Sequence, residues 1–272
     1  MWNRIIFFLL VTAVVGCKQS DPILKKETGD LFFSGYYWNF KNSNEAQVGP
    51  GPNKFASTSN NIWVDALGML HLKITNVNNK WYCSELISAR TMGYGTYTFT
   101  TASDLTTFNE RVVLGLFTWN DYSFQTQANS EVDIEFSRWN STTDSLLLTY
   151  SVQPVWFSNP APYQERTRHL SMQVSKLKNV CTHVFYWSPD IIRWDSYEGV
   201  GTTGAKIATW SYDKNNITRT KLEGNRTSNP IVIPAPEDST HARMNLWLLN
   251  GLAPSNNKEV EVVIQSFNYQ PL

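Results

Sequence analysis

Apolar and polar residues alternate along most of the chain from Trp63 onward, and no long stripe of helical period competes with this pattern. Alternation with a period of two predicts half-buried β-strands, because successive side chains of a strand point to opposite faces of its sheet. The segments with this pattern are Leu70–Thr75, Tyr82–Ser88, Thr96–Thr101, Val112–Trp119, Glu131–Arg138, Ser145–Gln153, Leu170–Ser175, Thr182–Trp187, Ile192–Tyr197, Ala205–Trp210, Ala242–Leu248 and Glu259–Phe267.

The predicted strands are short and are separated by turns rich in Gly, Pro and Asn, without a repeated sequence period or an internal linker. This arrangement favours a single all-β domain over residues 31–272, and we expect a double-sheet β-sandwich of the jelly-roll, concanavalin-like type. The Pro-rich segment Pro230–Pro236 is interpreted as a loop within this domain. The pattern does not set the order of the strands.

The N-terminal segment is typical of an export signal. A basic residue precedes the short apolar run Ile5–Val15, which is too short for a comfortable transmembrane helix. The sequence Val14-Val15-Gly16-Cys17 resembles the bacterial lipobox, in which the cysteine is lipidated; the alternative is an ordinary signal peptide with an incidental cysteine. We expect a signal peptide over residues 1–16, lipidation of Cys17 and a polar tether over residues 17–30. The protein would then be an exported bacterial lipoprotein that its lipid attaches to the outer membrane or cell surface. We also expect it to be a monomer.

The amino-acid composition excludes some classes of protein and favours others. The 23 Lys and Arg residues balance 23 Asp and Glu residues, which argues against a nucleic-acid partner. Hydrophobic residues make up 42% of the chain, which excludes global disorder. The 11 Trp residues exceed what a core alone usually needs and indicate flat rings displayed for stacking.

The cysteine and histidine residues give no clear indication of a disulfide or a metal site. Besides Cys17 the chain has Cys83 and Cys181, which an exported protein could join in a disulfide or keep as two buried thiols, and the sequence leaves both alternatives open. The four His residues are scattered, without a Cys/His cluster at the spacing of metal ligands, so no metal site is predicted.

One predicted strand carries three carboxylates at alternate positions. Glu131, Asp133 and Glu135 would share one face, while the apolar residues between them point to the core. A solvated edge strand could also carry acids, but three like charges on one face repel each other. Retaining glycosidases need two carboxyl groups about 5–5.5 Å apart, and glutamates whose Cα atoms are roughly 13 Å apart on a bent strand can close much of that gap. A carboxylate between them would raise the pKa of the group that must stay protonated.

The segment Glu131-Val132-Asp133-Ile134-Glu135-Phe136 resembles the E-[IV]-D-I-E-[FY] signature of glycoside hydrolase family 16, in its form without the extra bulge residue. Other segments resemble the family's motifs in the same order, and together they extend from about Trp63 to Phe267. These segments are Cys83–Leu86 with Gly93–Tyr97, Val112–Trp119, Tyr150–Pro154, His183–Ile192 and Met244–Trp247.

The resemblance implies roles for individual residues. Glu131 would be the nucleophile, Asp133 its hydrogen-bonding modulator and Glu135 the general acid/base. Glu85 and Gln153 occupy positions that contact sugar in the family. The remaining candidates for sugar binding are Asn245, Trp247 and Trp119.

The pattern of the chain also bears on these last candidates. Asn245 and Trp247 alternate with apolar neighbours, which independently favours a cleft position, although a core role for Trp247 stays open. For Trp119, core packing is the alternative to stacking.

The chain also departs from the family. Lichenases carry an Arg two residues beyond the Glu85 position, where this chain has Ile87, and Ile192–Gly199 differs from the usual strand. The Asn-rich stretch Trp38–Asn61 has no close lichenase counterpart and is expected to shape the rim of the cleft. These departures leave the β-glycan and its linkage open. No cofactor is implied, and a structural calcium, which many members bind, has no specific ligand set here.

Two function classes follow. The first is a retaining, endo-acting hydrolase of a β-linked polysaccharide of the β-glucan type. The second is a non-catalytic surface lipoprotein that binds glycan on the same fold. Intact Glu131, Asp133 and Glu135 favour the first, because a binding protein gains nothing from a nucleophile and an acid. A purely structural surface protein would explain neither the acids nor the Trp content.

Overall fold

The computed structural model describes residues 27–143, 147–153, 167–171, 179–214 and 233–272. The predicted signal peptide, Cys17 and most of the predicted tether lie outside these residues. Within them no helix is long and apolar enough to cross a membrane.

The described chain consists of short antiparallel strands with only brief helical turns between them. The strands are β1 (Leu31–Phe33), β2 (Tyr36–Phe40), β3 (Ile62–Val64), β4 (Leu70–Val77), β5 (Lys80–Tyr82), β6 (Ser84–Ser88), β7 (Gly95–Thr101), β8 (Val112–Trp119), β9 (Val132–Ser137), β10 (Leu147–Val152), β11 (Thr167–Ser171), β12 (Cys181–Trp187), β13 (Ile191–Glu198), β14 (Lys206–Asp213), β15 (His241–Leu248) and β16 (Val260–Pro271). The helical turns are α1 (Phe124–Gln127) and the 3₁₀ turns Leu105–Thr107, Ala128–Ser130 and Leu249–Gly251.

Two antiparallel sheets pack as a sandwich, which confirms the predicted all-β fold. The first sheet has the order β1-β2-β6-β15-β8-β9-β10-β11, and the second has the order β14-β13-β12-β7-β16-β4-β3 with β5 paired to β4. Alternate residues of both sheets fill the space between them, and large aromatic side chains such as Trp38, Trp187 and Trp194 are fully buried there. The opposite face of β6, β15, β8 and β9 is therefore left for a site.

The predicted strands agree well with the observed ones where the pattern is long. β8 spans the predicted residues, and β15 begins one residue earlier than predicted. Of the predicted strand Leu170–Ser175, residues 170 and 171 belong to β11, which pairs with β10, and the remaining residues lie outside the described ones. The pattern missed β1, β2 and β3, which have three to five residues each and are held by their neighbours.

The Pro-rich segment and the two cysteines can also be compared with their predictions. The described part of the Pro-rich segment, Ile233–Pro236, has no helix or strand, in line with the predicted loop. Cys83 and Cys181 are both buried and no disulfide joins them, which decides between the two alternatives. Burial raises the pKa of Cys83 to about 12 and that of Cys181 to about 11, so both stay protonated.

Candidate active site

A cavity of about 360 Å³ lies on the outer face of the first sheet, over β6, β15, β8 and β9. The segment before β3 closes one side of it, as expected for the rim. The cavity is lined by Lys41, Val48, Gly49, Pro50, Glu85, Gly115, Phe117, Trp119, Asp121, Glu131, Asp133, Glu135, Arg243, Asn245 and Trp247.

The acidic strand has the predicted alternation. Val132, Ile134 and Phe136 are fully buried in the core between the sheets. Glu131, just before β9, together with Asp133 and Glu135 on it, faces the cavity. The structure therefore brings the three carboxyl groups of the sequence motif together, and these three residues are called the acidic trio below.

Asp133 is the most firmly held member of the acidic trio. Its Oδ2 accepts a hydrogen bond from Ser151 Oγ at 2.7 Å and one from Gln153 Nε2 at 3.4 Å, both from the neighbouring β10 region. The Asp133 and Glu131 side chains also share a hydrogen bond. From the opposite sheet, Trp194 Nε1 donates to the Asp133 carbonyl oxygen at 3.0 Å and fixes the backbone. Gln153, predicted to contact sugar, is thus placed beside the trio.

All three carboxyl groups have raised pKa values, with burial as the first cause. The pKa of Asp133 rises to about 6, although hydrogen bonds from Ser151 and Gln153 oppose the rise. Burial, and then the charge of Asp133, raises the pKa of Glu135 to about 8. Burial, and then the charges of Asp133 and Glu135, raises the pKa of Glu131 well above its usual range. The site therefore keeps protons bound at neutral pH, as acid catalysis requires.

A glycine gives the floor of the cavity its depth. Gly115 on β8 lies opposite Glu135 on one side and opposite Asn245 on the other. A Cβ atom at position 115 would lie 2.5 Å from Asn245 Oδ1, closer than such atoms approach each other. Any larger residue would push Asn245 or close the space beside Glu135.

A second group of charges lies across the cavity from the acidic trio. Glu85, 1% exposed, accepts from Arg243 Nη1 at 3.0 Å through Oε1 and from Lys41 Nζ at 3.0 Å through Oε2. Asn245 Nδ2 donates to the same Oε2 at 3.3 Å. Lys41 also donates to the Gly49 carbonyl at 2.7 Å, which ties the rim segment to the floor. Glu85 and Asn245 were predicted to bind sugar. Both line the cavity, but their side chains also make these contacts within the protein.

Arg243 extends this group toward the rim. Its Nη2 donates to Asp121 Oδ2 at 2.9 Å, and Asp121 Oδ1 accepts from Trp119 Nε1 at 2.8 Å. We define Lys41, Glu85, Arg243 and Asp121 as the charge network.

Of this network, only Glu85 was predicted from the sequence as a site residue. The sequence contained one indication of this network, namely Ile87 at the position where lichenases carry an Arg. In the structure Arg243 on β15 pairs directly with Ile87 on β6. A guanidinium therefore lies beside Glu85, although it comes from a different strand.

The two predicted stacking residues lie at opposite ends of the cavity floor. Strand register places Trp119 opposite His241 and Trp247 opposite Val113, so the two rings are separated by the length of β8. Trp119 is partly buried, whereas Trp247 is 9% exposed and packs against the core while it also lines the cavity. Stacking on sugar stays a prediction for both.

No group of three His, Cys, Asp or Glu side chains is arranged to hold a metal ion in the part of the chain that the structure describes. A structural calcium stays an expectation without an assigned ligand set.

Two curated relatives are similar over most of the chain, although no family model matches the sequence. The β-glucanase of Bacillus subtilis (strain 168) is 29% identical over 198 residues, which cover 71% of this chain and 75% of that protein. The β-glucanase of Bacillus amyloliquefaciens is 29% identical over 198 residues, which cover 71% of this chain and 76% of that protein.

Solved structures show the same fold. The β-glucanase of Bacillus licheniformis superposes with a TM-score of 0.54 at 19% identity and covers 89% of this chain and 95% of that one. The laminarinase of Flavobacterium sp. UMI-01 gives 0.57 at 11% identity, with coverages of 85% and 92%. A Bacteroides ovatus protein of glycoside hydrolase family 16, bound to a G4G4G3G product, gives 0.55 at 12% identity, with coverages of 87% and 98%.

The chain is therefore similar in sequence to two β-glucanases, and it shares its fold with solved structures that include a protein of glycoside hydrolase family 16. The sequence motif of the acidic trio indicated the same family.

Proposed function

We propose that the protein is a retaining, endo-acting β-glucan hydrolase in which Glu131 is the nucleophile and Glu135 the general acid/base. The observation that carries this proposal is the acidic trio, with three carboxyl groups on one face of one strand at the floor of a cavity. The names of the curated relatives, both β-glucanases, supply the substrate class.

The reaction would proceed by two displacements. Glu135, protonated because its pKa is raised to about 8, donates its proton to the glycosidic oxygen as Glu131 attacks the anomeric carbon. This step breaks the glycosidic bond and forms a glycosyl ester on Glu131. Glu135, now a carboxylate, then takes a proton from water, and the water oxygen displaces Glu131 with a second inversion.

Glu131 must be ionised when it attacks. The positive charge of Arg243 lowers its pKa and so favours the carboxylate, whereas the charges of Asp133 and Glu135 oppose it. Protonation of Glu135 removes one of the opposing charges. In the free protein the hydrogen bond between Glu131 and Asp133 raises the pKa of Glu131 and lowers that of Asp133, so Glu131 must give up this proton before it attacks.

The charges around the cavity favour a neutral substrate. Its lining cations, Lys41 and Arg243, are both committed to carboxylates of the protein. An anionic polysaccharide would meet the acidic trio, and the described residues of the lining offer no free cation to offset the repulsion. A neutral β-glucan needs only hydrogen bonds and aromatic surfaces, and the cavity offers both.

The decisive experiment is incubation of the purified domain with β-glucans, galactans and xyloglucan, followed by reducing ends, product size and anomeric NMR at early times. We expect internal cleavage of a β-glucan with retention of the anomeric configuration. An inverted product would contradict the retaining mechanism. Tight binding of a glycan with cleavage of none would instead establish the glycan-binding lipoprotein.

We also propose that the domain is exported and anchored through a lipid on Cys17. Detergent-phase partitioning of the native protein tests this, because acyl chains carry a protein into that phase. Cys17→Ser should move the protein to the aqueous phase with full activity. Recovery of the unaltered protein in the aqueous phase would contradict the anchor.

A further inference from the structure

Arg243 joins two carboxylates that lie on different elements. It is 5% exposed, with Nη1 bonded to Glu85 Oε1 at 3.0 Å and Nη2 bonded to Asp121 Oδ2 at 2.9 Å. A planar guanidinium whose two terminal nitrogens each serve a different carboxylate is fixed in both position and orientation. Arg243 is therefore a rigid point beneath the rim of the cavity.

Asp121 links Arg243 to an aromatic ring. Its side chain is exposed, and an exposed aspartate would ordinarily sample several rotamers. Here Oδ2 accepts from Arg243 while Oδ1 accepts from Trp119 Nε1 at 2.8 Å. The guanidinium carbon also lies 5.9 Å from the centroid of the Trp119 ring. One edge of the indole is thus tied to a buried cation.

Trp119 is the residue that needs such a tie. It is the last residue of β8 and is only partly buried, so the core does not lock its ring as it locks Trp194. A stacking platform must hold its face toward the ligand before binding, because ordering a free side chain reduces affinity.

We propose that Arg243 is a positioning residue that, through Asp121, holds the Trp119 indole as a preformed stacking platform for a sugar ring of the β-glucan chain. This inference rests on the proposed function. A lysine at position 243 would not hold both carboxylates in the same geometry, since its ammonium lacks the fixed fork of donors of a guanidinium. The positive charge of Arg243 also lowers the pKa of Glu131, so its removal has a second consequence that a purely structural residue would not have.

The first test needs no substrate. Indole N–H signals are recorded by NMR on protein labelled with ¹⁵N in tryptophan, and the Trp119 signal is assigned by its loss in Trp119→Ala. We expect that signal to shift or broaden in Arg243→Met and in Asp121→Ala. It should stay in place in Arg193→Met, a matched control because Arg193 is exposed on the other sheet. An unmoved Trp119 signal in Arg243→Met would overturn the proposal.

The second test measures affinity for a soluble mixed-linkage β-glucan oligosaccharide, with Glu131→Gln as background so that no turnover occurs. Arg243→Met and Trp119→Ala should each weaken binding by about tenfold, and the double variant should be no weaker than Trp119→Ala alone. Losses that multiply would show that Arg243 acts by another route and would overturn the proposal. In protein with Glu131 intact, Arg243→Met should also move the acid limb of the kcat/KM profile to higher pH.

If Arg243→Met fails to fold, Arg243→Lys takes its place in the NMR test. This variant keeps one ion pair and is expected to show the same shift of the Trp119 signal. A protein that binds and cleaves no β-glucan would refute the proposed function and the stacking role, while the NMR result would still decide whether Arg243 ties Trp119.

Discussion

The cavity is lined by two groups of carboxylates, and their surroundings differ. In the charge network, Glu85 has a cation on each oxygen, and Asp121 shares one of these cations. In the acidic trio, the closest polar contacts of Asp133 are hydroxyl, amide and carboxyl groups, and the pKa of each member is raised. A buried charge that is paired holds structure together, whereas buried acids without a paired cation keep their protons and can do chemistry. Two groups on different strands of one sheet thus divide positioning from reaction.

The largest expected effect separates the two groups by activity. Glu131→Gln and Glu135→Gln should each reduce kcat by at least about a thousandfold, because each removes one half of the proposed double displacement. Both variants should fold normally. Glu237→Gln is the matched control, since Glu237 is exposed and lies outside the cavity. Near-normal kcat in either of the two variants would contradict the assigned roles.

The acidic trio could be predicted from sequence because its information is local. Three acids alternate with three apolar residues on one strand, and that alternation alone puts the acids on one face. The charge network could not be predicted in this way. Arg243 meets Glu85 only because β15 pairs with β6, although 158 positions separate them along the chain. Strand order and register depend on long-range pairing that an alternating pattern does not encode.

The same limit explains which parts of the fold were missed. β8 and β15 were predicted almost to the residue, because eight alternating positions are enough to define a period. β1 and β3 have three residues each, too few to show a period, and their pairing with β2 and β4 holds them as strands. Lys41 follows β2 directly, so the strand that positions it for Glu85 was missed together with the residue itself.

The two groups should also differ in their effect on stability. Loss of a carboxylate should lower Tm in the charge network and raise it at alkaline pH in the acidic trio. Glu85→Gln leaves Lys41 and Arg243 without their shared carboxylate and should lower the free energy of unfolding by about 3–5 kcal/mol. At roughly 2–4 °C for each kcal/mol, Tm should fall by about 10 °C. Thermal unfolding by circular dichroism measures this change.

Glu135→Gln should do the opposite at alkaline pH. The pKa of Glu135 is raised to about 8 in the folded protein, so its favourable contribution is complete below about pH 4.5 and is lost as pH rises to about 8. A glutamine cannot ionise and escapes that loss. Relative to the unaltered protein, the Tm of Glu135→Gln should therefore rise between pH 5 and pH 8.5. A difference that does not change with pH would show that ionisation of Glu135 has no cost for the fold.

The smallest expected effect is a shift in pH dependence within the acidic trio. The charge of Asp133, second to burial, raises the pKa of Glu135, and Asp133→Asn removes that charge while it keeps the size of the side chain. Glu135 should then lose its proton at a lower pH. The basic limb of the kcat/KM profile, which reports the acid of the free enzyme, should accordingly move down by about one pH unit.

Ser151→Ala is the control for this shift. Ser151 donates a hydrogen bond to Asp133 Oδ2 and lowers the pKa of Asp133, so the alanine variant raises the pKa of Asp133 from its value of about 6. Near pH 8 Asp133 would still be largely ionised, and its charge would still act on Glu135. The basic limb should therefore stay in place in Ser151→Ala and move only in Asp133→Asn. If both variants moved it equally, the hydrogen bonds around Asp133, rather than its charge, would hold the proton on Glu135.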